Sequence, residues 1–443
     1  MAGTHKYDVA IVGGGIIGTA ILYVLSNYTD AKRLVLVERR SAAAELNSDG
    51  KSNSQTLHFG DVETNYTEAK AKRTNDAARL VLRYCENTGA HAGKIIRRCQ
   101  KLLLAVGEEE IEYADRWYGS FAHGLYGGLE KLRLDYVKEI EPNLIRGRKA
   151  AERIEVYRSN TGYMVDYGKL ADSFIRRSKY ASRRRGTCVD VLFDTEIGSV
   201  EEDGDEYVLR SGSAKIECKA AVFAAGAYSL LFAKRLGLAD NLSIIATGGG
   251  FFKSRRVLNG KVYRVQLGKM PFAAVHGDPD MNNSTITRFG PVIYLPIGLE
   301  KGRPKPIDYV KTSGAAIMPV SLKILSKYGL FGLISRHMSY HMPLIGKKLF
   351  LNNEVRKIVP ALEYSDISPA KGYGGISPRI VDRKKMTLNI GEERIRKDNA
   401  VFDISPSPGA SSSLAIARSD AAYISSRLGI DFDKERFDRE LGH

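Results

Sequence analysis

The sequence predicts an α/β fold that opens on a parallel strand–helix–strand unit, and three observations carry this. The apolar run at 9–12 is short and runs straight into glycines, so it reads as a buried parallel strand rather than a helix. Gly13-Gly14-Gly15-Ile16-Ile17-Gly18 then matches G-x-G-x-x-G at a strand-to-helix turn, with a helical stretch at 16–28 behind it. A second apolar run at 34–37 ends in Glu38, twenty residues after Gly18.

Each part of this unit has a chemical reason. Gly13 permits the tight turn, Gly15 lets the backbone approach a pyrophosphate, and Gly18 lets the helix pack closely on the strand. The helix N-terminus points unpaired N–H groups at the phosphates, and the Glu38 carboxylate accepts from ribose hydroxyls. A dinucleotide is the ligand implied. Arg39 and Arg40 beside the acid suit a 2′-phosphate, so NADP stands beside FAD at this point.

With 443 residues the chain should form two domains, or one discontinuous domain with an insertion. Its 43 glycines, a tenth of the chain against a usual ~7%, suit an enzyme built on tight turns. A net charge of +16 favours anionic partners: dicarboxylates, acidic lipid surfaces or nucleic acid. Four scattered cysteines form no C-x-x-C and no metal spacing, so no zinc or iron–sulfur site is implied and a reducing compartment is expected. A strand starting at residue 8 leaves no room for a signal peptide. No run of eighteen apolar residues occurs, so no bilayer span is expected.

After Glu38 comes a polar, turn-rich segment in which Asn53, Ser54, His58 and Gly60 suit a loop over a cofactor. The stretch NSQTLHFGDVETNYT, following GGGIIG and VERR, resembles the malate:quinone oxidoreductases, within the wider superfamily of FAD-dependent amino-acid and hydroxy-acid oxidoreductases. The resemblance implies FAD as cofactor, with Asn53, Ser54, His58 and Gly60 beside the flavin. It implies a discontinuous, Rossmann-like FAD-binding domain (1–90, 150–240 and 366–443) and an α+β substrate domain on a mixed or antiparallel sheet (91–149 and 241–365). Gly226, ending the strand in AAVFAAGAYS, is then expected at the dinucleotide, and Glu141, Pro142 and Leu144 at the entry to the substrate domain.

Between 262 and 296 lie PFAAVHGDPD and TRFGP. Oxidation of a hydroxy acid needs a base for the hydroxyl proton, an acceptor for the hydride and cations for carboxylates. His276 suits the first task, with Asp278 to orient it, and the Arg288 fork suits the third. Both segments resemble the substrate region of the same family. His58 is expected to pack on or donate to the flavin.

Further on, AKGYGGISPRIVD departs from the family pattern, in which an arginine stands two residues after the last glycine. Here that position is Ser377, and Arg379 replaces it from a shifted place; Gly374 is expected near the cofactor. In the C-terminal SPSPGAS stretch, Gly409, Ala410 and Ser411 should offer backbone donors at the start of a helix facing the flavin pyrimidine.

The segment 309–353 contains no acidic residue and carries an apolar stripe, Ile324, Tyr328, Phe331, Met338 and Met342, beside Lys323 and Lys327. It reads as a basic insertion facing a membrane, alternatively as a buried insertion with a basic rim. The run RRSKYASRRR at 176–185 reads as solvated surface, and no nucleic acid is expected.

The function expected is oxidation of (S)-malate to oxaloacetate, with electrons passed to a membrane quinone from the cytoplasmic face. Departure at Ser377 keeps an L-2-hydroxyglutarate-like or glycerol-3-phosphate oxidoreductase open. A flavin-dependent nucleic-acid modification protein and a flavin-bearing binding protein without turnover are rivals from other classes.

Overall fold

The apolar run at 9–12 lies in a strand, His5–Val12, that pairs in parallel with Arg33–Val37 on one side and Ala214–Phe223 on the other. In the computed structural model the described residues are 5–442, apart from 90–91, 123, 125–128, 213, 269–273, 297, 304, 315–316, 390–392 and 405–407. Parts of two expected segments, 271–273 and 405–407, therefore lie outside the described residues.

The first sheet runs Glu393–Lys397, Ala400–Ile404, Ala214–Phe223, His5–Val12, Arg33–Val37, Cys188–Leu192. Ala214–Phe223 is one long strand that runs into AAVFAAGAYS. Its first half pairs with Glu206–Ser211 and its second half with Ala400–Ile404, so one edge serves two neighbours. The helix Ile16–Tyr28 is buried along nearly its whole length, packed against Tyr167–Arg185 and Ser413–Leu428. A buried helix between a sheet and two others needs apolar residues all round, which explains its lack of a polar face.

The second sheet is mixed, as expected. It runs Thr387–Asn389, Gly375–Asp382, Leu242–Arg255, Ile286–Tyr294, His276–Pro279, Lys261–Arg264, Lys101–Val106, Ile154–Ser159, Glu130–Leu132. Only Lys261–Arg264 with Lys101–Val106 is parallel. Ile154–Ser159, Gly375–Asp382 and Thr387–Asn389 fall inside ranges expected for the FAD domain, yet they pair here. Burial alternation marks a strand but does not say which sheet receives it. Glu141 is fully buried and accepts the N–H groups of Asn259 and Gly260, tying the turn before Pro142 to this sheet.

The basic run at 176–185 forms the tail of Tyr167–Arg185, closed by Gly186 in the left-handed conformation. Three arginines in a last turn complement the negative end of the helix dipole. Among the described residues no single helix is long and apolar enough to cross a membrane; Ile317–Lys327 and Phe331–Ser339 pass together but meet at 107°. The stripe expected there is split: Ile324 is fully buried, whereas Tyr328, Phe331, Met338 and Met342 are exposed. Leu325, Leu333 and Ile334 turn inward with Ile293.

His337, on Phe331–Ser339, is buried and accepts the Ile293 N–H through Nδ1 at 3.2 Å. Burial pushes its pKa down from 6.5 to about 4. The unfolded chain then takes a proton near pH 6.5 and the folded chain only near 4, so stability is intact above 6.5 and lost as pH falls through that window, by roughly 3 kcal/mol. His337→Gln, which keeps an acceptor but does not titrate, is expected to show a shallower fall in Tm between pH 7 and 4.5.

Candidate active site

One cavity of about 480 Å³ runs between the two sheets and is lined by residues from both. Its dinucleotide wall is formed by the first strand-to-helix turn. Gly13 and Gly15 line it, and Gly18 lies just behind: a Cβ on Gly13 would sit 2.5 Å from Ala224 O, and one on Gly18 would sit closer still to Gly13 O. The Ile16–Tyr28 helix has no side-chain cap at Gly15, although the Ile16 N–H donates to Ser48 Oγ at 3.0 Å. Glu38 Oε2 accepts from the Gly14 N–H at 2.6 Å and Oε1 from the Arg40 N–H at 2.9 Å, so the carboxylate also holds the glycine turn. Gly226, at φ +60°, lines the same wall.

Arg39 is on the cavity too, but its guanidinium pairs with buried Glu300 and lies 4.6 Å from the Tyr228 ring centroid. Arg40 also reaches Glu300, at 3.8 Å. Glu300 thus balances one of the two guanidinium charges and draws Arg39 onto the protein, which weakens the reason to expect a 2′-phosphate.

The loop 47–66 crosses the cavity between the sheets, and buried cations pin it. Lys261 Nζ donates to Ser54 O at 2.7 Å and pairs with Asp278 at 3.0 Å. On the neighbouring strand Lys101 Nζ pairs with Asp61 at 2.7 Å. Arg288, with no exposed surface, donates to Gly50 O, Asn53 O and Gln55 Oε1, and its Nε lies 3.5 Å from Asp280. Arg288 thus clamps the loop and does not reach the cavity, contrary to its expected role on a substrate carboxylate. A residue at this register faces the loop rather than the site.

Asn53 and Ser54 do line the cavity. The Asn53 side chain is folded back onto its own loop, donating to Asn47 O and Asp49 O and accepting from the Gln55 N–H. His58 also lines it, and its backbone N–H donates to Ser411 Oγ at 2.9 Å. Ser411 in turn contacts the Tyr167 hydroxyl at 3.1 Å, so the start of the C-terminal helix is tied to the loop; Gly409 and Ala410 complete that wall. Gly374 is not on the cavity. It is a glycine because, at φ +98°, a Cβ would run into Gly249 O on the adjacent strand.

Two histidines face the cavity in different states. His276 stacks on Tyr263 at 4.8 Å, its Nδ1 3.1 Å from Ala274 O and its Nε2 3.1 Å from Asp278 Oδ2, too skewed for an aligned hydrogen bond. Both ring nitrogens thus face protein groups. Asp278 itself is buried away from the cavity; burial works to raise its pKa, but Lys261, His276 and Arg288 outweigh this and hold it below the usual carboxylate range. His58, by contrast, holds Glu63 Oε1 through Nδ1 at 2.5 Å and leaves Nε2 without a partner among the described residues. Burial favours the neutral form of Glu63, yet His58 and Lys101 outweigh it and keep the carboxyl ionised.

Beside this pair stand the cations. Ser377 and Arg379 lie two residues apart on one face of Gly375–Asp382, and both line the cavity. Two residues along a strand are ~7 Å, so Arg379 serves the same face from further along. Its side chain is 7% exposed, and burial brings its pKa down to about 10. Lys70 also lines the cavity, with Nζ 4.0 Å from the Tyr66 ring centroid and no ion pair among the described residues. Burial and then Arg379 lower its pKa. Arg264 is a poorer candidate, since Glu110 and Glu354 both hold it.

A model of the FAD dependent oxidoreductase family matches residues 8–418. A probable malate:quinone oxidoreductase of Campylobacter jejuni is 34% identical, over 99% of this chain and 99% of its own. The chain belongs to the malate:quinone oxidoreductase family. An L-2-hydroxyglutarate dehydrogenase of Bos taurus is 29% identical over 96% of this chain and 90% of its own. In fold, the chain resembles an FAD-bound L-alpha-glycerophosphate oxidase of Mycoplasma pneumoniae, with a TM-score of 0.65 at 16% identity over 95% of both chains.

FAD is therefore the cofactor of this malate:quinone oxidoreductase family member. The glycine turn that no Cβ could enter, Glu38, Gly226 and the 409–411 wall fit it. What the sequence missed in this family member is Glu63, Tyr66 and Lys70. The only signal was local: Glu63 follows His58 by five residues, and Lys70 lies in the first turn of the helix Glu68–Asn87.

Proposed function

We propose that the enzyme oxidises (S)-malate to oxaloacetate and passes the electrons to a membrane quinone. The observation that carries this reading is the His58–Glu63 pair set on one cavity with Arg379 and Lys70. FAD, when bound, supplies the acceptor for the C2 hydride. His58 Nε2 takes the hydroxyl proton, while Glu63 fixes the ring through Nδ1 and stabilises the imidazolium that forms. This role passes to His58 from His276, whose Nδ1 meets Ala274 O and whose Nε2 is turned to the buried Asp278 carboxylate. Arg379 binds a substrate carboxylate through its planar fork and Lys70 supplies a second positive charge.

The quinone half of the reading is supported by the surface. Ten of the fifteen large apolar side chains left exposed among the described residues lie between 307 and 345, in or beside the segment without acidic residues. On this ground we propose that the enzyme docks peripherally on a membrane, the cytoplasmic face being the one expected from the sequence. Sedimentation with anionic lipid vesicles, weakened by salt, is the expected result.

A second reading is oxidation of L-2-hydroxyglutarate, favoured by the relative of that name and by the arginine displaced to 379. One methylene in an apolar pocket discriminates by only ~1–3 kcal/mol, so chain length is decided by where the cations sit. Anaerobic absorption spectra before and after L-malate, L-2-hydroxyglutarate or glycerol 3-phosphate separate the readings. Bleaching of the flavin by malate is expected; bleaching only by another acid overturns the substrate. Arg379→Gln is expected to raise KM by about 10–100-fold with FAD retained, as loss of a charged hydrogen-bonding group predicts.

A further inference from the structure

A second cavity, of about 380 Å³, lies against the first. It sits between the strands Leu242–Arg255 and Ile286–Tyr294 and the segment that follows Phe331–Ser339. Phe251 lines both cavities. The pairing of these two strands shifts between Gly250 and Phe252, and a bulge of this kind re-aims a side chain, here into the partition between the two spaces.

The lining is aromatic and soft: Phe251, Tyr340, Tyr373 and Met342. The Tyr340 hydroxyl is spent on Glu354 at 2.9 Å. Beside Lys347, Lys371 and the tyrosines at 364 and 373, the lining holds His341. Its Nε2 lies 3.3 Å from Ile293 O, which leaves Nδ1 as an acceptor, and burial lowers its pKa and favours the neutral ring. The mouth is apolar where water would be expected. Met342 and Leu344 line the cavity and are nonetheless 50% and 93% exposed, and Ile345 beside them is 47% exposed. Lys347 lies 3.8 Å from the Tyr364 ring centroid at the same rim. Exposed apolar side chains edged by lysines are what a lipid headgroup region accepts.

We infer that this second cavity holds the head of an isoprenoid quinone, its tail leaving past Met342 and Leu344 into lipid. This rests on the quinone reading above. A flat ring with two carbonyl oxygens suits aromatic walls with a neutral histidine and two lysines among them, and Phe251 lines both this space and the flavin cavity. The quinone takes up two electrons and two protons and leaves as the quinol; the reduced flavin supplies both electrons and one proton, and solvent supplies the other. His341 accepts the hydrogen bond of a quinol hydroxyl.

The test bypasses the organic substrate. Holoenzyme reduced stoichiometrically with dithionite under argon is mixed with ubiquinone-1 or with ferricyanide, and flavin reoxidation is followed. Binding of ubiquinone-1 to oxidised holoenzyme is measured separately by equilibrium dialysis. Ala370→Trp fills the cavity from a buried position whose N–H still bonds Phe251 O; Met342→Trp fills it from the exposed loop and does not burden folding. Both variants are expected to lose at least tenfold in reoxidation by ubiquinone-1 and in its affinity, with ferricyanide reoxidation within twofold of the parent. Unchanged quinone reoxidation and affinity in both variants would overturn the site while leaving the acceptor in place. Parent enzyme that ferricyanide reoxidises and ubiquinone-1 does not would overturn the acceptor reading and the site with it.

Discussion

His58→Asn is expected to keep FAD and to lower the rate of flavin reduction by the organic substrate by about 10²–10⁴-fold, the usual contribution of a positioned base. The argument is geometric. Nδ1 is held 2.5 Å from ionised Glu63, so the ring has one orientation and one nitrogen left for substrate. Glu63→Gln keeps the bond but removes the charge that stabilises imidazolium, so a smaller loss is expected, with the pH profile of the reductive half-reaction shifted to lower pH. His276→Asn should cost only a few-fold, because it removes a stacking partner of Tyr263 rather than the base. Stopped-flow reduction of the three variants decides it: the opposite ranking, with His276→Asn the slowest, would return the role to His276.

Arg288→Ala is expected to damage folding and cofactor retention rather than substrate affinity. The guanidinium has no exposed surface, ties three points of the loop 50–55, and balances Asp280, which is itself 4% exposed. Removing one partner of a buried, hydrogen-bonded charge leaves the other unpaired at a cost of about 3–5 kcal/mol. Purified variant should therefore carry substoichiometric FAD and unfold at a lower temperature. If it kept a full complement of FAD and the parent Tm and differed only in KM, Arg288 would be a substrate cation after all.

The contrast between Arg288 and Arg379 shows where sequence reading stops. Both are arginines near glycine and proline, Arg288 in a segment that resembles the family's substrate region and Arg379 in one that departs from the family pattern, and local sequence favours Arg288 for the substrate at least as much. Strand register decides. At position 288 the side chain meets the loop carbonyls of Gly50 and Asn53, whereas at 379 it meets the cavity on the same face as Ser377. The same holds for the two histidines. His276 stands in the more suggestive motif, but its neighbour Asp278 is bound to Lys261, and Lys261 became buried only because its strand pairs beside Lys101. Glu63, which completes the other pair, was an ordinary acid in a polar loop until the loop folded.

Local sequence by itself determined the opening unit. A short apolar strand, a glycine turn in which Gly13 and Gly18 admit no Cβ, a buried helix and Glu38 are consecutive, and their geometry follows from backbone sterics and short-range periodicity. FAD and the mixed second sheet followed from motifs of the same short range read through resemblance. Only the tertiary structure decided which sheet received Gly375–Asp382, which histidine kept a nitrogen for substrate, which arginine faced the cavity, and that Phe251 lines two spaces. Those are statements about partners far apart along the chain, and pairing energies of strands and buried ions depend on which partner arrives, not on the residue alone.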